Sequence, residues 1–589
     1  MFRRWFSAFL LCLSACPALA TRIDSVLLLK TPAKEAEPRA LRLAEGASIQ
    51  PLAVLRPASE GAVDQLEAIA AWNRSQGVPA KNGFARPLPV PRSVRFTPDL
   101  LERQPSKFAG GALLAPPAGG LVWGAELRVE EAHRLRLHLA DVHLPKGTRL
   151  WVYSEDGREE VPFAADAVTY GGEIWTPSVE GPVARLEVRL PEGKVEGYGF
   201  TIDQVLEMVD LDADGAPRLS TAGVETKASD LSCLRDAACY GNADLSGMEV
   251  YKRAVARLQF VKNGQGYLCS GGLLNDTDNS TTIPYLLTAH HCVDSQAVAS
   301  TLEAVFDLIA QGCSGTVPAV ATLPRTSGAT LLATGTGSDF TLVQLSSLPS
   351  GRGLLGSTNE PVANGDGMYR LSHPLGLSQR YSATTMAASG ATCLGVPRPN
   401  FLYSIRAFGG TFGGSSGSPV VRSDGRVVGQ LLGACGPTAA AGEGCDSSNY
   451  VIDGALATSW SSISRWLTPA TPGACIPGPT TLCLGDNGRF KVQATFDTGS
   501  QQGQAQMVKL TDETGYLWFF SATNVEAVVK VLDACSFNQR FWVFAGGLTN
   551  VRTAITITDT ATQTVKTYTN PQGAAFQPVQ DVDAFATCR

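Results

Sequence analysis

The stretch Gly409–Val421, GGTFGGSSGSPVV, decides how the rest of the chain is read. Glycines at 409, 410, 413, 414 and 417 surround the pair Ser415-Ser416, and an apolar run opens behind Pro419. Glycine tolerates positive φ and lets a backbone approach a ligand closely, so such a bend presents a hydroxyl among bare amides. A serine-glycine bend alone is usually just a turn. Its meaning depends on what else the chain supplies.

Two upstream segments supply it. YLLTAHHCVD, residues 285–294, runs as a strand into a turn where His290 and His291 precede Cys292. GSDFTLVQL, residues 337–345, sets Asp339 at the head of an apolar strand. A hydroxyl attacks an amide only if a base takes its proton and donors hold the oxyanion that forms. The order His, Asp, Ser is one of the known orders of such a triad. An aspartate before a strand is ordinarily a cap or turn former, and a histidine beside a cysteine is ordinarily structural. The three together, in this order, make His291, Asp339 and Ser416 the candidate catalytic residues.

The chain around them is long and turn-rich. Its 589 residues exceed one core, and 60 Gly and 35 Pro with 17% charged residues describe folded, loop-rich domains. A net charge of -6 without basic clusters argues against nucleic acid as a partner. Residues 1–20, MFRRWFSAFLLCLSACPALA, read as an export signal cut after Ala20. Leu13-Ser14-Ala15-Cys16 offers the rival of a lipidated Cys16, the one route by which a membrane becomes a partner. Twelve cysteines lie beyond the signal, all between Cys233 and Cys588, and none forms a CxxC pair. That even set reads as disulfides in an oxidising compartment, with no zinc site, and nothing calls for a cofactor or metal.

Composition shifts divide the chain. Residues 21–227 form one block, with a helix expected around Val63–Trp72 and a proline-broken stretch, RPLPVPRSV. From about 96 to 205 the period becomes two: LRLHLADVHL, TRLWVYSEDG and ARLEVRLPEG read as antiparallel strands of a β-sandwich. Residues 228–467 hold the candidate triad. TPATPGACIPGPTT marks a linker, and 475–589 close the chain as a further small β domain.

With these residues in hand, the block 228–467 resembles the trypsin/chymotrypsin clan of serine endopeptidases, and within it the bacterial lysyl endopeptidases. LTAHHC, SDFTL and GSSGSP carry the resemblance. It implies an all-β fold, a double β-barrel with the triad in the cleft between barrels, flanked by an amino-terminal β-sandwich pro-domain and the small carboxyl-terminal β domain. It makes Ser416 the nucleophile, His291 rather than His290 the base, Asp339 its orienter, and the N–H groups of Gly414 and Ser416 the oxyanion hole. It pairs Cys269 with Cys292 and Cys239 with Cys313. Cys233 goes with Cys435 or Cys445, and Cys393 takes the one left over. The carboxyl-terminal cysteines are expected to bridge among themselves.

The same resemblance implies a secreted precursor acting on proteins or peptides, with its own pro-domain as partner. Lys227-Ala228 is a candidate cleavage point. The position before the nucleophile is Ser415, so no carboxylate stands there to receive a freed amino terminus. Departures from the family concern specificity. The pocket aspartate falls near Val451 and the pocket histidine at Leu432, leaving Asp446 and Asp453 as candidate substrate-binding residues in CDSSNYVIDGALATSW. Between 228 and 467 only Lys252 and Lys262 occur, against twelve arginines, which suits an enzyme that cuts after lysine or another basic residue. Two rivals remain. A catalytically silent binding or adhesion protein on this scaffold would ordinarily have lost a triad member or the oxyanion glycine. An α/β-hydrolase esterase would place Ser before His on a Gly-x-Ser-x-Gly elbow.

Overall fold

A computed structural model describes residues 21–588 apart from 29–38, 46–49, 57–59, 76–78, 103–105, 117–118, 194, 212–216, 218–230, 279–281, 394, 440–443, 469–474 and 486–487. The export signal with Cys16 and the Lys227-Ala228 bond lie outside the described residues.

Period-two sequence becomes strand. Leu121–Val129, Val183–Leu190, Arg149–Ser154 and Glu160–Ala164 lie side by side in one sheet of the amino-terminal sandwich. Arg134–His143, Gly199–Met208 and Ala80–Arg95 lie side by side in the other. Alternate residues of both, among them Leu127, Leu135, Leu137, Leu139, Leu186 and Phe200, meet in one core. The helix is longer than its apolar face suggested, Glu60–Ser75. The proline-broken stretch lies inside the strand Ala80–Arg95 rather than between elements. Its ladder to Gly199–Met208 breaks between Pro87 and Arg92, so the prolines sit largely where no backbone donor is needed.

Two barrels follow. The first is an open sheet with the neighbours Ala329–Gly335, Phe340–Leu345, Tyr285–Ala289, Gln265–Leu274, Val255–Lys262, Glu303–Phe306 and Arg325–Ser327. The second closes: Arg380–Met386, Gly367–Ser372, Pro419–Arg422, Val427–Cys435, Tyr450–Ala455 and Phe401–Phe408 run round until the last pairs with the first. Closure leaves no edge strand to aggregate. Disulfides join Cys233 to Cys445, Cys239 to Cys313, Cys269 to Cys292 and Cys393 to Cys435.

The sandwich and the first barrel share a sheet. Ala80, Lys81, Gly83 and Phe84 pair antiparallel with Leu268, Tyr267, Gly266 and Gln265. Arg136 and His138 alternate with the core leucines of their strand and lie on its other face, yet both are buried, because that face lies against the barrel. Arg136 is fully buried and donates to the carbonyls of Thr176 and Thr301. Burial lowers its pKa to about 10, and Glu303 opposes the fall. Burial alone would raise the Glu303 carboxyl, but Arg325, Arg136 and Arg134 hold it down at about 2. Charges taken out of water survive only when paired in this way.

Thr468–Arg589 form a separate compact unit of two five-stranded sheets. Along Arg540–Gly547, Phe541 and Val543 face its core while Trp542 and Phe544 face outward, half-buried. Its four cysteines bridge internally, Cys475 to Cys483 and Cys535 to Cys588.

Candidate active site

Three of the residues singled out in sequence arrive by different routes. Tyr285–Ala289 ends at the turn carrying His290 and His291, and Phe340–Leu345 begins directly after Asp339. Both strands pair in register, Ala289 opposite Phe340, so the turn and the aspartate emerge at one end of the first barrel. Ser416 comes from the second barrel, just before Pro419–Arg422.

His291 and Asp339 are in contact. Nδ1 lies 2.7 Å from Oδ2, and the His291 backbone N–H donates to Oδ1 at 2.9 Å. An ionised carboxylate only accepts, so beside one the proton sits on Nδ1 and Nε2 carries the free lone pair. Asp339 is 6% exposed and adopts φ 51°, a left-handed conformation that aspartate tolerates better than most residues. Nε2 of His291 is buried without a hydrogen-bond partner among the described residues, Ser416 included. In ligand-free sites that contact is often long and tightens with substrate. His290 is engaged elsewhere, with Nδ1 2.7 Å from Thr334 Oγ1.

The serine turn is built against the histidine turn. Gly417 has φ 78°, and a Cβ there would run into Thr288 Oγ1 and sit 2.7 Å from the N of Ala289. Glycine is therefore required, and its close approach sets Ser416 beside the segment that carries His291. Gly414 has φ 92°. The N–H groups of Ser415, Gly417 and Ser418 all bond to backbone carbonyls. Those of Gly414 and Ser416 find no acceptor among the described residues, which is what an oxyanion site requires. Ser415 is fully buried and bonded to Ser372, so the position before Ser416 carries no charge.

Several residues that hold this turn were not singled out in sequence. Ser270 donates its N–H to the Ser416 carbonyl at 2.8 Å and its hydroxyl to the Gly414 carbonyl at 2.9 Å. Gln430 of the second barrel donates to the carbonyl of Ser338, 2.7 Å away, and so steadies the aspartate turn of the first. Arg370 donates to the carbonyl and hydroxyl of Ser418. His373 is fully buried beneath the turn, its Nδ1 2.9 Å from the Leu377 carbonyl, and burial lowers its pKa to about 3. It is neutral there. The only local signal for these residues is a polar side chain inside an otherwise apolar strand, as in VVGQLLGAC or YLCSGGLL.

The two aspartates expected at a substrate pocket differ. Asp453 is fully buried and paired with Arg370. Burial raises its pKa, and Arg370 works against that rise. Arg370 also holds Ser418, so the pair braces the serine turn from behind, and the second carboxylate oxygen of Asp453 is buried without a hydrogen-bond partner among the described residues. Asp446 is half-exposed and accepts from the Thr438 hydroxyl and the Ser448 N–H, which hold its carboxyl below the ordinary range. Its neighbour Cys445 bridges to Cys233, whose sulfur abuts Gly410 in the segment leading to Ser416. Leu432 is half-buried and Val451 nearly buried.

Cys269, His291 and Cys292 place ligand-type atoms within 4.8 Å of one another. Both sulfurs are in one disulfide, so this trio lacks the thiolates a metal would need. Beside the histidine turn a cavity of about 760 Å³ is walled by Lys262, His290 and Asp294 of the barrel and by His138, Glu173 and Trp175 of the sandwich.

Comparison with known proteins places these features in a family. The model described as lysyl endopeptidase, C-terminal domain, matches residues 228–450, and that for the lysyl endopeptidase N-terminal domain matches residues 54–205. Together they cover more than half of the chain. The lysyl endopeptidase of Pseudomonas aeruginosa is 27% identical over 350 residues, which are 57% of this chain and 72% of that protein. The secreted RxLR effector protein 73 of Plasmopara viticola is 30% identical over 213 residues, 34% of this chain and 49% of that protein. Among solved structures, the Rv3671c protease of M. tuberculosis in its active form is similar at 14% identity, covering 41% of this chain and 94% of its own, with a TM-score of 0.26. An HtrA-type protease, AlgW, with a tripeptide is similar at 15% identity, covering 58% and 98%, with a TM-score of 0.29.

Proposed function

The chain belongs to the lysyl endopeptidase-like proteases, and on that premise we propose that it is the precursor of a secreted serine endopeptidase with Ser416 as nucleophile. The observation that carries this reading is the doubly bonded His291–Asp339 pair beside a glycine bend in which the Gly414 and Ser416 amides have no acceptor among the described residues.

The chemistry follows from the groups present. Ser416 Oγ attacks the scissile carbonyl carbon as its proton passes to His291 Nε2. The carbonyl oxygen becomes an oxyanion, held by the N–H groups of Gly414 and Ser416. The C–N bond breaks, the departing amine takes the proton from Nε2, and the acyl group stays on Ser416. Water then gives its proton to Nε2, attacks the acyl carbon and frees the acid, and Ser416 recovers its proton. Asp339 holds the imidazole in the required tautomer and stabilises its charged form.

For specificity we assign cleavage after lysine or another basic residue, with Asp446 as the carboxylate that meets it. Asp446 sits beside the Cys233–Cys445 bridge that abuts the serine segment, whereas Asp453 is fully buried and paired through one oxygen with Arg370. Export through the 1–20 signal fits six disulfides, which persist in oxidising surroundings. Among the described residues no helix is long and apolar enough to cross a membrane. The amino-terminal sandwich acts as the pro-region, and the cavity it forms with His290 and Asp294 puts it beside the histidine turn. Release comes from a cut at Lys227-Ala228.

Mapping cleavage sites in a denatured protein mixture tests the reading. Cuts are expected on the carboxyl side of lysine or arginine, and a processed enzyme that leaves all bonds intact contradicts it. Amino-terminal sequencing beside Ser416→Ala addresses release: equal cutting of both proteins excludes self-processing.

A further inference from the structure

The segment Thr21–Leu28 does not belong structurally to the amino-terminal sandwich that follows it. Val26 and Leu27 pair antiparallel with Leu354 and Gly353, in the connection between the two barrels. Ile23 exchanges backbone hydrogen bonds with Ser357 in both directions, at 2.8 and 3.1 Å, and the Leu28 N–H bonds the Arg352 carbonyl. The Ile23 side chain is 3% exposed and joins the core of the double barrel.

The contacts reach both barrels. Asn275, at the end of a first-barrel strand, donates to the Asp24 carbonyl at 2.9 Å. Arg426, beside the second-barrel strand Val427–Cys435, pairs with the Asp24 carboxylate. In the connection itself, Arg22 pairs with Glu360 at 2.6 Å, and the Gly356 N–H donates to Ser25 Oγ at 2.8 Å. Gly356 is cut to fit, because a Cβ there would strike the Ile23 carbonyl.

Side-chain burial, a two-way backbone ladder and ion pairs at Arg22 and Asp24 make a groove shaped for one extended strand. We propose that this groove is a binding surface of the double barrel, and that its partner is the chain's own Thr21–Leu28 strand. The strand acts as a brace across the barrels. The first barrel carries His291 and Asp339 and the second carries Ser416, so a brace on their connection bears on how the two halves of the site meet. None of its contacts depends on the bond between residues 227 and 228, so the strand stays seated when the chain is cut there.

Hydrogen exchange on the full chain tests this. Ile23→Asp is expected to speed exchange at the amides of Gly356 and Ser357 by about tenfold or more. A synthetic peptide of residues 21–28 added in trans restores their protection, and the same peptide with Asp for Ile23 does not. Arg22→Ala with Asp24→Ala strips the ion pairs without touching the core, and serves if Ile23→Asp does not fold. Unchanged exchange in the folded variants, or no recovery with the peptide, overturns the proposal. The reactivity of Ser416 towards an organophosphonate, expected to fall with the brace and return with the peptide, rests on the function proposed above. Its failure in the unaltered protein would count against that function and leave the exchange result standing.

Discussion

Asp339 holds His291 at two points, accepting from the backbone N–H with one carboxylate oxygen and meeting the ring nitrogen Nδ1 with the other. Ring and backbone are thus fixed to a single side chain, and the imidazole cannot swing without breaking its contact with Oδ2, while the backbone bond holds the carboxylate in place. Asp339→Asn keeps the shape but offers an N–H where Nδ1 needs an acceptor. The ring takes the other tautomer and Nε2 can no longer receive a proton. We expect kcat on a peptide amide to fall about 10⁴-fold, with the thermal midpoint nearly unchanged.

Gly417 tests the close approach of the two turns. At φ 78°, an alanine there is strained by its backbone and driven into Thr288 and Ala289. Gly417→Ala should cost about 2 kcal/mol or more and separate Ser416 from the histidine turn. Denaturant unfolding reads the first effect and organophosphonate labelling the second.

Asp453 and Asp446 should part company under the same substitution. Asp453→Asn leaves the Arg370 charge buried without its counter-ion, for which a loss of about 3–5 kcal/mol is typical. Both substrate types then suffer alike. Asp446→Asn touches a half-exposed loop, so the thermal midpoint should hold. We expect kcat/KM for a lysyl amide to fall about 10²-fold, while a neutral substrate changes little.

Much of this was legible in the chain. The glycine bend, the histidine turn and the aspartate strand are local patterns, and period-two alternation marked the strands of the sandwich. What the sequence hid is long-range pairing. Asp453 meets Arg370 from 83 positions away, and nothing in YVIDGA announces it. The shared sheet between Ala80–Phe84 and Gln265–Leu268 is made by backbone groups, which carry no side-chain signature. The burial of Arg136 and His138 is hidden in the same way, because alternation tells which residues share a face but not what covers it.

His373 predicts a pH dependence of stability. Burial lowers its folded pKa to about 3, against 6.5 for the free side chain. Between those values the unfolded chain takes up a proton that the folded one refuses, so stability falls as pH drops below about 6.5. The slope from this group is about 1.4 kcal/mol per pH unit. Glu303, held at about 2, adds its loss only below its ordinary 4.5. His373→Asn keeps a donor for the Leu377 carbonyl and should flatten the curve between pH 6.5 and 4.5. Urea unfolding across that range checks it.

The central claim is that one hydroxyl, on Ser416, is activated by His291. Reaction of the processed protein with an organophosphonate, followed by peptide mass mapping, tests it most directly. We predict a single adduct on Ser416, lost in Ser416→Ala and slowed by orders of magnitude in His291→Ala. An adduct on another residue, or undiminished peptide hydrolysis by Ser416→Ala, would contradict the account.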